Sequence, residues 1–141
     1  MNNPVCVFTK PWPKLALPDL AKLVSELGAD GIELPIRAGY QVTPESAGRD
    51  LVEAVNVFSD HGLTVFSVAA EVDERIVSAM GNAGVRLLRT CFRVDMSMGY
   101  FRSVDRARQQ ILSISDKLVQ SNVIVGVQNH HHFHHQHYCL H

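Results

Sequence analysis

What this sequence lacks narrows its class before any motif is read. It has no long apolar run. The best stretch, Gly62-Leu-Thr-Val-Phe-Ser-Val-Ala-Ala70, falls far short of the roughly 18–20 residues that a membrane-spanning helix needs. It has no excess of charge of either sign: 13 basic and 14 acidic residues leave a formal net charge of −1. No broad positive field is available to hold nucleic acid or an anionic membrane, and neither is expected as a partner. The basic residues between Arg86 and Arg108 are interrupted by Asp95 and Asp105 and read as a solvated face. Cysteine is scarce and scattered, at Cys6, Cys91 and Cys139 with no C-x-x-C pair. That argues against a disulfide framework or zinc knuckle and suits a reducing cytoplasm. The start, Met1-Asn-Asn-Pro-Val-Cys6, has neither a basic n-region nor an apolar h-region, so export is not expected. Histidine is nearly missing before residue 130, where only His61 occurs; the other seven of eight lie between His130 and His141.

What is present is enough for one domain. The 141 residues are 46% hydrophobic, too apolar for a disordered chain and long enough to bury a core. Short β-rich runs alternate with helical patterns. Strands are expected at Val5–Thr9, Gly31–Ile36, Leu63–Ala69, Val85–Phe92 and Val123–Val127. Helices are expected over Pro18–Leu27, from an N-cap at Thr43 with Pro44 first inside, from an N-cap at Asp73 to Gly84, and over Ser103–Gln120. The near-continuous apolar third run suits a parallel strand covered on both faces. Two architectures fit these βα units. A doubly wound sheet of order 2-1-3-4-5 requires a phosphate-binding turn after the first strand, and here Thr9-Lys-Pro-Trp-Pro-Lys14 has prolines where amide donors are needed. A (β/α)8 barrel fits the pattern but takes on the order of 250 residues. The expected fold is therefore an incomplete (β/α)8 barrel, five parallel strands in the order 1-2-3-4-5 with helices on the outer face. Val7, Val68 and Leu87 are candidates for its inner face.

The stretch Asp30-Gly-Ile-Glu-Leu34, followed by Arg37, Gly39, Gln41, Val42, Pro44 and Glu45, resembles the second-strand signature of xylose isomerase-like TIM barrels, the sugar phosphate isomerase/epimerase superfamily. Arg89-Thr-Cys-Phe-Arg93 and Gly126-Val-Gln-Asn-His130 are similar to the strand-four and strand-five stretches of one subgroup. The resemblance runs from about residue 5 to residue 130. It implies a sugar or sugar-phosphate isomerase or epimerase working by proton transfer beside a carbonyl. Tyr40-Gln41 stands where Gly-His is expected, which implies a changed substrate contact in that loop. In the wider superfamily a divalent metal is bound by residues from strands five to eight. Only the strand-five position is present, and it holds Gln128, a weaker ligand than a carboxylate. A metal is accordingly an expectation for a full-length parent only.

In a barrel, chemistry belongs at the C-terminal strand ends. Glu33, Glu71 and His130 are the candidate catalytic residues. Glu33 either meets sugar hydroxyls or acts as a base, or it is a structural carboxylate paired with an arginine such as Arg89; an acid there must be paired either way. Arg89, within an apolar strand, binds an anionic group or neutralises Glu33. Lys10, Arg37 and Arg93 are candidate substrate cations, Arg37 through its planar fork. Gln128 and Asn129 offer directional amides for hydroxyls, and His130 titrates near neutrality. Residues 1–130 are read as the partial barrel. The His-rich segment 131–141 is read as no part of the fold, its origin a frameshift or a junction with foreign sequence. Its His131, His132, His134 and His135 bind metal adventitiously if at all. The competing reading is non-enzymatic: an inactive barrel fragment, or a metal-binding module through the tail. A barrel stopped after strand five has free edges and an open inner face, so self-association is expected.

Overall fold

A computed structural model describes residues 3–128. The expected boundary after residue 130, the tail, and the candidates Asn129, His130, His131, His132, His134 and His135 lie outside the described residues. The elements run β1 (Cys6–Phe8), α1 (Leu17–Glu26), β2 (Gly31–Pro35), α2 (Ala47–Asp60), β3 (Thr64–Ala69), α3 (Glu74–Ala83), β4 (Leu87–Thr90), α4 (Tyr100–Ser113), α5 (Ser115–Ser121) and β5 (Ile124–Val127). All neighbouring strands pair in parallel, in the order β1-β2-β3-β4-β5. The doubly wound order is thereby ruled out, and the chain is a partial (β/α)8 barrel. No helix among the described residues is long and apolar enough to cross a membrane.

The helices begin and end where local chemistry dictates, with two departures from the sequence pattern. Pro18 sits in the first turn of α1, and Gly84 closes α3 with φ +73°, a conformation that glycine adopts without a Cβ penalty. Asp73 caps α3 by accepting from the Arg75 amide at 2.7 Å. The second helix, however, starts at Ala47 with Ser46 as N-cap, not at Thr43. Thr43 Oγ1 accepts from the Ser46 amide at 3.3 Å and the Ser46 hydroxyl accepts from the Thr43 amide at 3.1 Å. This reciprocal pair closes a separate turn first, the competition that short hydroxyl side chains offer a helix. The expected fourth helix is two, α4 and α5, broken at Ile114 with neither proline nor glycine to announce it.

The core lies between the sheet and the helices. Leu20 and Val24 of α1, Leu51 and Phe58 of α2, and Val77 and Met80 of α3 pack on Ile32, Leu34, Val68 and Leu88 of the sheet, all fully buried. The opposite face carries Phe8, Glu33, Ser67 and Arg89, together with Phe66, Leu87 and Ile124, which are 36%, 41% and 61% exposed. Of the three residues expected on that face, only Leu87 is there. Val7 pairs with the buried Ile32 and packs on the core, and Val68 is fully buried in it. The cause for Val68 is a register shift. Ile32 pairs with Val65, but Glu33 pairs with Ser67, so Phe66 is an extra residue and the alternation reverses beyond it.

Gly31 makes that irregularity sterically possible. A Cβ there would meet the Thr64 carbonyl oxygen at 2.0 Å and the Phe66 ring at 2.7 Å. Gly31→Ala is expected to cost about 3 kcal/mol or more, since backbone cannot yield as a side chain does. Gly48→Ala, at an exposed helical site with nothing within 4 Å, should be neutral or stabilise by up to about 1 kcal/mol. Urea unfolding of the two variants checks this, and equal effects would refute the steric account.

Loss of the cap in Asp73→Ala should cost about 1 kcal/mol. The hydrogen bond from the Arg75 side chain holds the Asp73 carboxyl below its ordinary pKa. A lowered carboxyl pKa contributes stability that is full above the unfolded value, about 3.9, and is lost as pH falls through the folded value. The difference in melting temperature between wild type and Asp73→Ala should therefore shrink below about pH 4.

Candidate functional site

On the open face, strand alternation brings one acid and one base together across the sheet. Glu33 is opposite Phe8 on one side and Ser67 on the other, and Arg89 follows on β4, opposite Gly126. The Arg89 guanidinium donates Nε–H to Glu33 Oε1 at 3.2 Å and a terminal N–H to Oε2 at 2.6 Å. This is the two-point geometry that suits a fork to a carboxylate. Ser67 Oγ donates to Oε1 at 3.1 Å, and the Phe8 ring lies 4.7 Å from the guanidinium carbon, close enough for a cation–π contact. The side chains of Glu33 and Arg89 are only 16% and 18% exposed. Burial opposes the charge on Arg89, but the hydrogen bond and charge of Glu33 outweigh it and hold the guanidinium pKa above its ordinary value. Of the two readings left open by the sequence, the ion pair is the one observed.

Above this pair, at the C-terminal strand ends, lies a cavity of about 950 Å³ lined by Lys10, Glu33, Arg37, Glu71, Arg89 and Gln128. Six of the expected site residues are thus gathered in one place. Arg93 is set apart, in a neighbouring cavity of about 480 Å³ that shares Glu71, Thr90 and Cys91 with the first. Asp95 is engaged in a turn, accepting from the amide and hydroxyl of Ser97 at 2.9 and 2.6 Å, and these bonds lower its pKa.

Sequence reasoning missed several members. Phe8 shares a face with Glu33 through register, which strand alternation could have indicated. Cys91 links the pair to the strand-five end, lying 3.8 Å from an Arg89 nitrogen and donating to Gln128 Oε1 at 3.5 Å. Asp73 and Arg75 also line the cavity, and nothing in their spacing marks them. Tyr40 and Gln41, expected to alter a ligand contact, serve to tie loops together. Neither residue lines the main cavity. Tyr40 donates its hydroxyl to the Lys10 carbonyl at 3.3 Å, and the Gln41 amide donates to the Trp12 and Leu15 carbonyls at 2.6 and 2.8 Å. Together they fasten the loop after β2 to the loop after β1.

This arrangement can orient a polyhydroxylated molecule by hydrogen bonds and charge. Both oxygens of Glu33 are engaged by Arg89 and Ser67, so Glu33 organises the floor. Glu71 is an exposed carboxylate at the rim. Among the described residues no three His, Cys, Asp or Glu side chains form a metal-binding group.

The fold and the position of the cavity define the chain as five consecutive units of a (β/α)8 barrel of the kind seen in xylose isomerase domain proteins. The xylose isomerase domain protein of Planctomyces limnophilus superposes with a TM-score of 0.63 at 9% identity, over 88% of this chain and 52% of its own. The corresponding protein of Salmonella typhimurium gives 0.61 at 16% identity, over 90% and 51%. Mannonate dehydratase of Streptococcus suis gives 0.57 at 10% identity, over 87% and 51%. At these identities the likeness is one of fold. The chain spans about half the length of the structures it matches. No protein-family model matches the sequence, and no curated protein does.

The ion pair should be the chief polar contribution to stability on this face. Glu33→Gln, which leaves Arg89 without its charge partner, is expected to cost about 2 kcal/mol. In the double variant Glu33→Gln/Arg89→Met the cost should fall well below the sum of the single changes. A double-mutant cycle by urea denaturation measures the coupling, and additive effects would mean that the two side chains act independently.

Proposed function

We propose that this chain contributes the first five units of a barrel that isomerises or epimerises a sugar or sugar phosphate by moving a proton beside a carbonyl. The observation that carries the reading is the larger cavity at the strand ends, where Lys10, Arg37, Glu71 and Gln128 surround the Glu33–Arg89 pair. Amide and charged groups converging on one concave site suit a polyhydroxylated ligand. The barrel likeness to xylose isomerase domain proteins and to a mannonate dehydratase agrees with this class. In the proposed step a base removes the proton from the carbon next to the carbonyl, giving an enediolate. In epimerisation the same proton, or one from solvent, returns to the other face of that carbon. In isomerisation it goes to the neighbouring carbon while the hydroxyl proton passes from one enediolate oxygen to the other. Glu71 is one base of the pair. His130, proposed from the sequence, is the other, and Gln128 and Asn129 hold hydroxyls. The proposed setting is the cytoplasm.

The test is isotopic. The chain is incubated in deuterated water with a panel of ketoses and their phosphates, with and without divalent metal, and deuterium at carbon is read by NMR. Wash-in that is reduced about a hundredfold in Glu71→Gln or His130→Ala supports the reading, the size of loss typical of removing a general acid or base. No wash-in with any substrate overturns it and favours a catalytically inactive barrel fragment.

A further inference from the structure

The cations lining the main cavity are of two kinds. Arg89 is held by Glu33 at 2.6 Å and Arg75 by Asp73 at 3.0 Å. Lys10 and Arg37 also line the cavity and are half-buried, yet among the described residues neither side chain has an ion-pair or hydrogen-bond partner. They come from adjacent strands. Lys10 follows β1 two residues beyond Phe8, and Arg37 follows β2 four residues beyond Glu33, with which Phe8 is in register. Counted along the strands, both continue the polar face beyond the ion pair, Lys10 one layer above Phe8 and Arg37 two layers above Glu33. Their loops are fixed to one another by Tyr40 and Gln41 through the carbonyls of Lys10, Trp12 and Leu15, and the Arg37 amide bonds to the Val42 carbonyl at 3.1 Å. Glu71, the cavity carboxylate with no cation or hydrogen-bond partner among the described residues, sits after β3, beyond the strand that carries Arg37.

We propose that Lys10 and Arg37 form an oxyanion subsite, so that the ligand of this cavity is an acidic sugar derivative carrying a phosphate ester or a carboxylate. This deepens the sugar reading above and rests on it for the sugar, though not for the anion. Two half-buried cations without carboxylate partners, on two loops tied together, form a preorganised site for a group that brings its own negative charge. Arg37 supplies a planar fork and Lys10 a point charge, the combination that phosphate and carboxylate recognition commonly uses. The paired Arg89 is left as floor, so the acidic end of the ligand is directed toward the β1–β2 side and its hydroxyls toward Glu71 and Gln128.

The experiment titrates the chain with inorganic phosphate, D-fructose, D-fructose 6-phosphate and D-gluconate, following binding by calorimetry and, for the phosphates, by phosphorus NMR. Wild type should take the ester or the acid about tenfold or more tighter than the neutral ketose, and each of Lys10→Gln and Arg37→Gln should remove about that factor. Arg37→Lys should recover part of it, since charge remains and the fork is lost. Lys22→Gln, an equal charge change on the exposed side of α1, should alter nothing, and unchanged circular dichroism and melting temperature check that the variants are folded. Preference for the ester over gluconate assigns the oxyanion as phosphate, and the reverse assigns it as carboxylate. The two proposals separate cleanly. Phosphate binding that depends on Lys10 and Arg37 without any binding of sugars upholds the subsite and overturns the sugar reading. Equal binding of fructose and its phosphate, or an ester preference that survives in both glutamine variants, overturns the subsite and leaves the sugar reading standing. Absence of all binding overturns both.

Discussion

The Glu33–Arg89 pair is the interaction around which the open face of this sheet is organised. Each charge sits on a strand whose other face is sealed by helices, and neither is more than about one-fifth exposed. A charge in that position must find a partner or lose its ionisation. The two meet across β3, which separates their strands, and β3 contributes Ser67 at the crossing point. For Ser67 to be there, β3 needs its extra residue, Phe66, and for Phe66 to fit, β2 needs a glycine at position 31. An ion pair, a register shift and a glycine are thus one structural statement. The pair does not make the sheet more stable than a well-packed apolar layer would be. It keeps a polar, charge-neutral floor where an apolar one would have excluded a hydroxylated ligand.

Much of this fold was legible because the sequence repeats one physical problem. The helices α1, α2 and α3 each have an apolar stripe and β2, β3 and β4 a buried row. Element order therefore followed from spacing, while the sheet order needed the prolines of the turn after the first strand to decide it. The boundaries that failed did so for local reasons. Thr43 and Ser46 satisfy each other's backbone amides before the helix can begin, a choice that a preference for Thr at the cap does not reveal. The facing of Val68 failed because alternation is read by counting, and one extra residue in β3 reverses every position after it. No feature of Thr64-Val-Phe-Ser-Val-Ala69 marks the shift; it shows in the partner strand, where Gly31 leaves room for the Phe66 ring.

The site was legible in a different measure. Charged residues inside apolar strands are conspicuous, so Glu33 and Arg89 stood out, and so did their possible pairing. Residues that enter the cavity from loops were partly found, as Lys10, Arg37 and Glu71 were, and partly missed, as Asp73 and Arg75 were. The reason is that a loop side chain reaches the site through the path of the chain and not through a period. Tyr40 and Gln41 illustrate this best. As letters they looked like an altered ligand contact, whereas in space they are a fastening between two loops.

That fastening bears on how a cavity open on one side can still discriminate. Selectivity requires that a binding group be held in place before the ligand arrives, because ordering a long side chain on binding costs part of the energy gained. In this chain the floor is held by an ion pair, and the β1–β2 rim is held by three side chain-to-carbonyl hydrogen bonds. The backbone on each side of Lys10 and Arg37 is therefore fixed although their side-chain tips are not. The β3–α3 side has a comparable anchor in the Asp73 cap and its bond to Arg75. Rigid loop bases carrying free polar tips are what a site needs if it is to select by charge first and by hydroxyl pattern second. Charge acts over the longer distance, so in the proposed subsite the two cations on the fastened rim would orient an incoming anion before any hydrogen bond to Gln128 or Glu71 could form.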